Sequence, residues 1–528
     1  MVNPTMMKEL ELFFKEIEAN VIGRNASFEG PYGTKNVLYA DWVASARMYQ
    51  PIEDKIRDFV LPFVANTHTE SNITGTAMTR AYNESKRIIK NHVNANASDK
   101  LIFCGSGMTA AIAKLQRILG LKIPERFHSY LEGDSGQKKY RKLEKRKKVL
   151  NKKYNFKENH KPIIFVTHME HHSNHTSWLE TIADVEIIKH DENGKVCLDH
   201  FKNLLETYKE RKFKIASVTA CSNVTGIEAP YREIAKLIHS YAGVCFADFA
   251  ASAPYVDIDM HPEEEGAHLD AIFFSPHKFL GGPGTPGVLI FNEALYNNTC
   301  PDIPGGGTVS FTSPWYTHDY INDIEVREDG GTPPFIQGIR AAMAIRLKEH
   351  ITVARMKKRK KQLLKLFFKQ FEDVKDIHFL ANNNRKRHGI VSFYVRDLHY
   401  NLITKVLNDK YGIQVRGGCA CAGTYGHILF DLDIDSSNEM RKYILKGDNT
   451  AKLGFVRVSL HPILSDEQCL YITNAIKEII KEKKYWKTQY VYDNSHNEYQ
   501  HTTSPTSTTE DEILENIYSF DLEQIALM

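Results

Sequence analysis

Residues 273–287 read FFSPHKFLGGPGTPG, an apolar run that stops abruptly at Lys278 and a glycine-rich bend. An ammonium group is a poor nucleophile, but a lysine held among desolvating groups or other cations loses its proton more readily and can condense with a carbonyl. Lysines are also common at ordinary surface turns. The surrounding sequence therefore has to decide whether Lys278 is a Schiff-base lysine.

Several buried-strand patterns in the chain end at small or polar residues. They span residues 101–104, 162–166, 215–219, 244–247 and 269–274. Helical patterns such as 231–241 lie between them, which is typical of a parallel-rich α/β sheet with its ligand at the carboxyl ends of the strands. The polar residues that follow these strands are the candidate site residues.

A glycine-rich turn follows the first of these strands. Gly105-Ser106-Gly107-Met108-Thr109 leads into a helical run that continues to Leu121. Free backbone N–H groups and the helix dipole make such a turn an anion site. The turn matches neither a Walker loop nor the full G-x-G-x-x-G fingerprint, so phosphate binding and structural packing both stay open on this evidence.

Imidazoles crowd the segment from His168 to His175 just after a strand. The spacing in Glu170-His171-His172 differs from the H-E-x-x-H pattern that puts two zinc ligands on one helix face. We therefore predict no metal site here, and we expect a flat aromatic ligand to stack on an imidazole.

The composition is that of a folded protein without a membrane anchor. The 528 residues are 42% hydrophobic and 25% charged, with a net charge of +3 and eight cysteines in no paired framework. Such a balanced charge gives no general bias towards nucleic acids, and unpaired cysteines are typical of a reducing compartment. No apolar run is long enough to span a bilayer. The sequence predicts a cytoplasmic protein with no membrane contact.

Charge is concentrated in one inserted segment. Residues 138–153 carry many lysines and arginines and a single acid, Glu144. The segment reads as a solvated basic insertion, and a contact with RNA, a membrane or an acidic partner is the alternative.

The pattern predicts a division into four parts. We expect an N-terminal segment at 1–36, a large domain at 37–338 with the basic insertion at about 125–160, a smaller α+β domain at 339–488, and a polar linker with an acidic amphipathic tail at 489–528. The smaller domain is expected to begin with one long helix from about residue 339 to 371.

The polar groups at the strand ends suit one cofactor, pyridoxal phosphate. This cofactor needs an amine for its aldehyde, a phosphate cradle, a carboxylate at its ring nitrogen and a stacking partner. Lys278 is the candidate amine, Asp248 the carboxylate and His171 the stacking group. The candidate phosphate ligands are Ser275, His277 and the turn with Met108 and Thr109.

Five short motifs follow one another along the chain: residues 170–174 (EHHSN), 248–252 (DFAAS), 275–278 (SPHK), 305–308 (GGGT) and 416–423 (RGGCACAG). Together, they resemble those of the class V aminotransferase family of fold-type I pyridoxal-phosphate enzymes, in its cysteine desulfurase and selenocysteine lyase branch. The resemblance runs from about Val37 to Lys481. It implies a mostly parallel, seven-stranded type of sheet with a smaller C-terminal domain.

The resemblance also implies roles for individual residues. Thr308 would reach the phosphate of the partner subunit's cofactor, which implies a homodimer. Arg457 would pair with the substrate carboxylate, a geometry that a guanidinium suits, and Asn174 is a second substrate candidate. Asn223 would lie near the cofactor's 3-hydroxyl, and Cys421 would attack the substrate sulfur.

Two positions depart from the family pattern. Ala251 stands where desulfurases carry a glutamine, so a hydrogen bond to the cofactor is missing or supplied elsewhere. Cys419 stands where histidine is common. Two loop thiols without chemistry stay an alternative for Cys419 and Cys421.

The leading hypothesis is therefore a pyridoxal-phosphate enzyme that acts on a small amino acid, with cysteine desulfurase-like sulfur transfer through Cys421 to an acceptor protein. One alternative is an aminotransferase, epimerase or other lyase without a persulfide. The other is a binding or scaffold protein that uses the basic segment 138–153.

Overall fold

The computed structural model describes residues 4–67, 69–127, 157–503 and 509–519. The basic segment 138–153 lies outside the described residues. No helix in the described ranges is long and apolar enough to cross a bilayer.

A seven-stranded sheet forms the centre of the molecule. In spatial order its strands are Asp99–Cys104, Gly287–Asn292, Ala271–Phe274, Val244–Asp248, Lys214–Thr219, Ile163–Thr167 and Asp184–Ile188. Gly287–Asn292 runs antiparallel to both of its neighbours, whereas the other pairs are parallel. The predicted mostly parallel α/β sheet is confirmed, and the order places the ends of the strands at 104, 219, 248 and 274 at one edge.

Helices cover this sheet because its inner strands are buried on both faces. They are Ile73–His92, Met108–Ile118, His172–Leu179, Leu198–Thr207, Tyr231–Ser240 and Phe335–Ile351. The N-terminal helix Pro4–Glu18 buries Leu10, Phe14 and Ile17 on the same core, as its helical spacing predicts.

A second, antiparallel sheet carries the C-terminal part. Its strands are Ile377–Phe379, Ile390–Val395, Phe455–Ser459 and Arg416–Gly418. Its helices are Val353–Lys369, Tyr400–Tyr411, Asp466–Lys481 and Lys483–Gln489. This sheet has its own apolar core, which fits the predicted smaller α+β region; the domain bounds themselves stay a prediction.

Shorter elements fill the connections. The two-stranded pairs are Ser27–Gly30 with Gly33–Asn36, Leu38–Tyr39 with Ile413–Gln414, Val309–Thr312 with His318–Tyr320, and Tyr490–Asp493 with Glu498–His501. The short helices are Gln50–Lys55, Ile324–Arg327, Gly423–Leu429, Ile434–Leu445 and Thr509–Tyr518. The helix Thr509–Tyr518 agrees with the predicted amphipathic tail.

Two sequence-based expectations are wrong. The single helix expected from about 339 to 371 is broken at Thr352, which has a φ of 70° and whose side chain caps the second helix at Arg355. The linker expected after Tyr490 begins instead with a hairpin, and its Tyr490 and His501 are buried and in ring contact with each other. Tyr490 also donates a hydrogen bond to Asp409 at 3.1 Å, so this part of the tail belongs to the C-terminal core.

Candidate active site

A cavity of about 720 Å³ lies at the carboxyl ends of the central strands. Most of the residues predicted for the site line it. They are Met108, Thr109, His171, Asn223, Asp248, Ser275, His277, Lys278, Cys421 and Arg457. The strand order brings these residues together from distant parts of the chain, as expected for an open α/β sheet.

Lys278 lies on a single helical turn, Pro276–Lys278, directly after the strand Ala271–Phe274. Burial lowers the pKa of its amine to about 8, and the Arg457 guanidinium acts in the same direction while Asp248 and Asp41 oppose it. A substantial fraction of this amine is therefore neutral near physiological pH, as a nucleophilic lysine requires.

Asp248 ends the neighbouring strand and is 3% exposed. One carboxylate oxygen accepts the Ala250 N–H at 2.8 Å. Burial raises its pKa to about 6, with the Ala250 hydrogen bond and the charge of Lys278 acting against this rise. Asp248 is thus mainly ionised at neutral pH and can hold a protonated ring nitrogen.

A small polar cradle forms where the helix Met108–Ile118 begins. The Met108 N–H donates to Ser275 Oγ at 2.8 Å, and Thr109 Oγ1 lies 2.6 Å from Ser173 Oγ. A Cβ added to Gly107 would come within 3.2 Å of Ser275 Oγ and 3.6 Å of His277 Nε2. The helix N-terminus and these side chains therefore surround one spot suited to a phosphate.

His171 caps the helix His172–Leu179, with its Nδ1 accepting the Ser173 N–H at 3.1 Å. Burial, with Lys278 as the next contribution, lowers the pKa of its imidazole to about 4. His171 is consequently a neutral, flat ring at the cavity wall, which suits stacking.

Asn223 has one half of its amide bound and the other half unsatisfied. Its Nδ2 donates to the Ala420 carbonyl at 2.7 Å, whereas its Oδ1 is buried without a partner among the described residues. An unpaired buried acceptor is costly. A hydroxyl of a bound molecule in the cavity would satisfy it.

Arg457 comes from the strand Phe455–Ser459 of the second sheet. Its Nη2 lies 2.7 Å from Asp41 Oδ1, and its Nη1 donates to the Asn223 carbonyl at 3.2 Å. Its Nε is buried and makes no hydrogen bond within the described residues. Part of the fork is therefore held by the protein and part stays available for a carboxylate.

Cys421 lies on an exposed loop in an uncommon backbone conformation. Ala420 and Cys421 have φ values of 49° and 57°, a region that is sparsely populated by residues other than glycine. The loop is tied to the His171 segment, because the His172 N–H donates to the Cys421 carbonyl and the Gly423 N–H donates to His172 Nε2, both at 2.8 Å. The Cys421 thiol is exposed and lines the cavity.

Two predicted site residues lie away from the cavity. Asn174 is fully buried and uses its amide on Glu170, Ser217 and Trp178, so it braces the strands below the cavity. Thr308 bonds the Gly305 carbonyl at 2.6 Å and is not part of the cavity wall in this single chain. Their predicted roles stay predictions.

Sequence reasoning gave no role to three further polar residues that line the site or brace it. Asp41 holds Arg457, Arg416 lines the cavity, and the fully buried Glu170 accepts hydrogen bonds from Thr167 and Thr219 at 2.6 and 2.9 Å. Arg416 and Glu170 stood in the quoted motifs, so their positions carried a signal. The stretch 41–46 follows a predicted strand, and its small residues allow backbone to approach a ligand or another chain, but nothing in the sequence pairs Asp41 with Arg457, because 416 residues separate them.

Ala251 and Cys419, the two positions that depart from the family pattern, lie in different surroundings. Ala251 packs with Val43 and Ile390 in a small apolar cluster, so this position offers no hydrogen bond. Cys419 is exposed and does not line the cavity.

The residues present fit pyridoxal phosphate. The unpaired Asn223 Oδ1, the cradle at Gly107 and the buried carboxylate of Asp248 offer partners for a hydroxyl, a phosphate and a ring nitrogen. Lys278 offers the amine between them. The cavity of about 720 Å³ is within the range of cofactor sites.

Comparison with known proteins identifies related sequences. The model of the family "Aminotransferase class-V" matches residues 148–470. A "Probable cysteine desulfurase" from Staphylococcus epidermidis is 27% identical over 401 residues, covering 75% of this chain and 85% of that protein. A "Cysteine desulfurase" from Haloferax volcanii is 27% identical over 262 residues, covering 49% and 59%.

Solved structures share the fold. The apo cysteine desulfurase from Thermococcus onnurineus superposes with a TM-score of 0.67 at 22% identity, covering 88% of this chain and 98% of that one. The cysteine desulfurase CsdA from Escherichia coli gives a TM-score of 0.65 at 17% identity, covering 89% and 98%. At this identity the likeness is evidence of the fold alone.

Proposed function

The chain belongs to the class-V aminotransferase family, a family of enzymes, and on this premise we propose that it is a pyridoxal-phosphate-dependent cysteine desulfurase. It would take sulfur from L-cysteine, leave L-alanine and carry the sulfur as a persulfide on Cys421. The relatives named as cysteine desulfurases support this choice over transamination. The observation that carries it is the exposed Cys421 thiol at the wall of the cavity that also holds Lys278 and Arg457.

The protein groups would hold the cofactor in a defined orientation. Lys278 would supply the amine for its aldehyde, Asp248 would pair with its ring nitrogen, and the cradle of Met108, Ser275 and His277 would hold its phosphate. Pyridoxal phosphate, when bound, supplies an electron sink for charge at the substrate α-carbon. His171 would cover the ring, and Asn223 Oδ1 would accept a hydrogen bond from the 3-hydroxyl.

The substrate would be held and deprotonated by residues of this chain. Arg457 pairs with the substrate carboxylate through N–H groups that Asp41 and Asn223 leave available. The amine of Lys278 would take the proton from the α-carbon. Confinement in the cavity keeps this amine close to that carbon.

Sulfur transfer would follow at Cys421. Its thiolate attacks the substrate sulfur, an S–S bond forms, and the C–S bond breaks with its electron pair left on the substrate carbon. Protonation of that carbon, and return of a proton from the Lys278 amine to the α-carbon, would give L-alanine, so L-cysteine and one thiol become L-alanine and one persulfide. Arg457 and Arg416 line the same cavity as Cys421.

The assay compares Cys421→Ser and Lys278→Ala with the native protein. We expect Cys421→Ser to keep the visible absorbance of bound cofactor and to lose sulfide and alanine production from L-cysteine by at least a hundredfold. Lys278→Ala should lose both the absorbance and the activity, and Cys419→Ser should keep both. Unchanged sulfide release by Cys421→Ser would refute the persulfide, and keto-acid production in place of alanine would indicate a transaminase.

We also propose the oligomeric state of the enzyme, its sulfur acceptor and its cellular location. The enzyme acts as a homodimer in which Thr308 reaches the partner subunit's cofactor, and a separate protein accepts the sulfur. A cytoplasmic location is supported by eight free cysteines, all within the described ranges.

A further inference from the structure

A basic groove lies on the C-terminal part of the molecule, with a volume of about 670 Å³. Six exposed cations border it: Lys357, Lys361, Lys365, Lys369, Arg385 and Lys386. None of these six makes an ion pair with an acidic side chain of the described residues. The acids that border it are Glu228 and Glu372, so positive charge prevails.

Four of these lysines form a single stripe along one helix. Lys357, Lys361, Lys365 and Lys369 follow one another every fourth residue on the helix Val353–Lys369, and residues so spaced are neighbours on a helix surface. Like charges at this spacing destabilise a helix. An acidic partner lying along the stripe would relieve this repulsion.

The floor of the groove is apolar. Leu364 and Phe368 lie between the lysines, and the Arg385 guanidinium lies 4.8 Å from the centre of the Phe368 ring. The aliphatic stems of the lysines add further apolar surface. A groove of this kind fits an amphipathic helix with acidic flanks better than a nucleic-acid backbone, which offers charge without an apolar side.

The chain itself contains such a helix. Thr509–Tyr518 has the sequence TEDEILENIY, with acids at 510, 511, 512 and 515 and no basic residue. Its apolar side chains are exposed: Ile513 by 51%, Leu514 by 53%, Ile517 by 57% and Tyr518 by 76%. A helix of ten residues is marginal in water on its own, so it needs a surface against which to fold.

The hairpin that precedes the tail is joined to the C-terminal region that carries the groove helix. Asp376, shortly after the end of the groove helix, pairs with Lys483 at 2.9 Å. The helix Lys483–Gln489 then spans about 10 Å, and the Thr502 N–H donates to the Gln489 carbonyl at 3.0 Å. The tail therefore leaves the same C-terminal region that carries the groove helix.

We propose that the acidic helix 509–518 docks in the basic groove of its own chain. Its apolar side chains lie on Leu364 and Phe368, and its acids face the lysine stripe and Arg385. The docked and exposed positions of the helix exchange with each other, and the structure displays the exposed one. This inference does not depend on the proposed activity.

Hydrogen–deuterium exchange of the full-length protein tests the docking. We expect backbone amides of 512–518 to exchange at least tenfold more slowly in the native protein than in Lys361→Glu/Lys365→Glu. The reversal Glu512→Lys/Glu515→Lys should also remove the protection, and the four-residue charge swap that combines both pairs should restore it. Lys202→Glu/Lys212→Glu, with exposed lysines outside the groove, is the matched control and should leave exchange unchanged.

Three results would overturn the proposal. Equal exchange of the tail in the native and Lys361→Glu/Lys365→Glu proteins would show that the groove does not hold it. Protection that increases with protein concentration would assign the groove to the tail of a second copy. A fast-exchanging tail, together with binding of a single-stranded RNA that Lys361→Glu/Lys365→Glu abolishes, would assign the groove to nucleic acid.

Discussion

Lys278 shows how a common residue acquires special chemistry from its neighbours. Its amine is buried beside the Arg457 guanidinium, and the carboxylates of Asp248 and Asp41 only partly oppose their effect. The balance leaves its pKa at about 8 rather than at the value of an exposed lysine. This pKa is that of the amine in the protein before it binds cofactor.

We expect the rate at which the cofactor-free protein takes up pyridoxal phosphate to rise tenfold per pH unit below pH 8 and to level off above it. The sign follows from the lowered pKa, because only the neutral amine attacks an aldehyde. A pH series of the visible absorbance measures this rate. A rate that continues to rise to pH 10 would contradict the lowered pKa.

Asp41 is expected to position the guanidinium of Arg457. Their side chains lie 2.7 Å apart and are 16% and 4% exposed, so the contact is shielded from water. Asp41→Asn keeps the shape but weakens a charge-assisted bond of about 1.5–3 kcal/mol. The KM for L-cysteine should rise by roughly tenfold or more while kcat changes little, as for a loss of binding alone.

Two measurements distinguish the positioning of Arg457 by Asp41 from a merely structural role: steady-state kinetics and the pH dependence of cofactor uptake. Because the Asp41 carboxylate raises the pKa of Lys278, Asp41→Asn should also move the midpoint of cofactor uptake to lower pH. Asp435→Asn, at an exposed surface position, is the control. A fall in kcat as large as the rise in KM, with no change in the midpoint pH of cofactor uptake, would contradict a positioning role.

At the scale of elements, the helix Met108–Ile118 begins where the phosphate is proposed to bind. Gly107 leaves room there, and an added Cβ would lie 3.2 Å from Ser275 Oγ. Such crowding costs about 1–3 kcal/mol. Gly107→Ala should therefore weaken pyridoxal phosphate binding by roughly tenfold, as measured by titration of the cofactor-free protein.

Gly426→Ala provides the matched control for this change. Gly426 lies inside the helix Gly423–Leu429, and nothing lies within 4 Å of the added Cβ. We expect its affinity for the cofactor to equal that of the native protein. If Gly107→Ala also bound pyridoxal phosphate with the affinity of the native protein, the proposed phosphate cradle would be refuted.

Element by element, sequence patterns predicted those parts that depend on local signals. Buried strands such as 214–219 and the helix at 231–240 follow from runs and periods of apolar residues. The helix break at Thr352 was not predicted, because the apolar pattern continues through this residue while its backbone has a positive φ. The hairpin after Tyr490 also escaped, since its burial depends on contacts with distant residues such as Asp409.

Local sequence signals likewise predicted only part of the candidate site. Motifs identified Lys278 and Asp248, because strand ends and short patterns mark them. The orphaned Oδ1 of Asn223 and the use of Asn174 as a brace become visible only when strands from distant parts of the chain are assembled. A motif can thus indicate that a residue matters without indicating the side to which its atoms point.

At the scale of the whole molecule, the hairpin Val309–Thr312 and His318–Tyr320 exposes aromatic side chains. Trp315 is 80% exposed, Tyr316 98% and Phe311 53%. Exposed apolar patches mark interaction sites, and Thr308 directly precedes this hairpin. A second copy of the chain that covers the hairpin would bring both features to the proposed dimer interface.

We therefore expect Trp315→Ser/Tyr316→Ser to dissociate the dimer and to lower the cofactor content per chain at the same time. Each buried aromatic contributes about 2 kcal/mol, so the dimer dissociation constant should rise by ~100-fold or more. Sedimentation and absorbance of the same samples measure both quantities. Tyr443→Ser/Tyr485→Ser removes two tyrosines that are 44% and 48% exposed elsewhere and serves as control. A monomeric variant with full cofactor content would separate dimerisation from the proposed role of Thr308, and a monomeric native protein would refute the dimer itself.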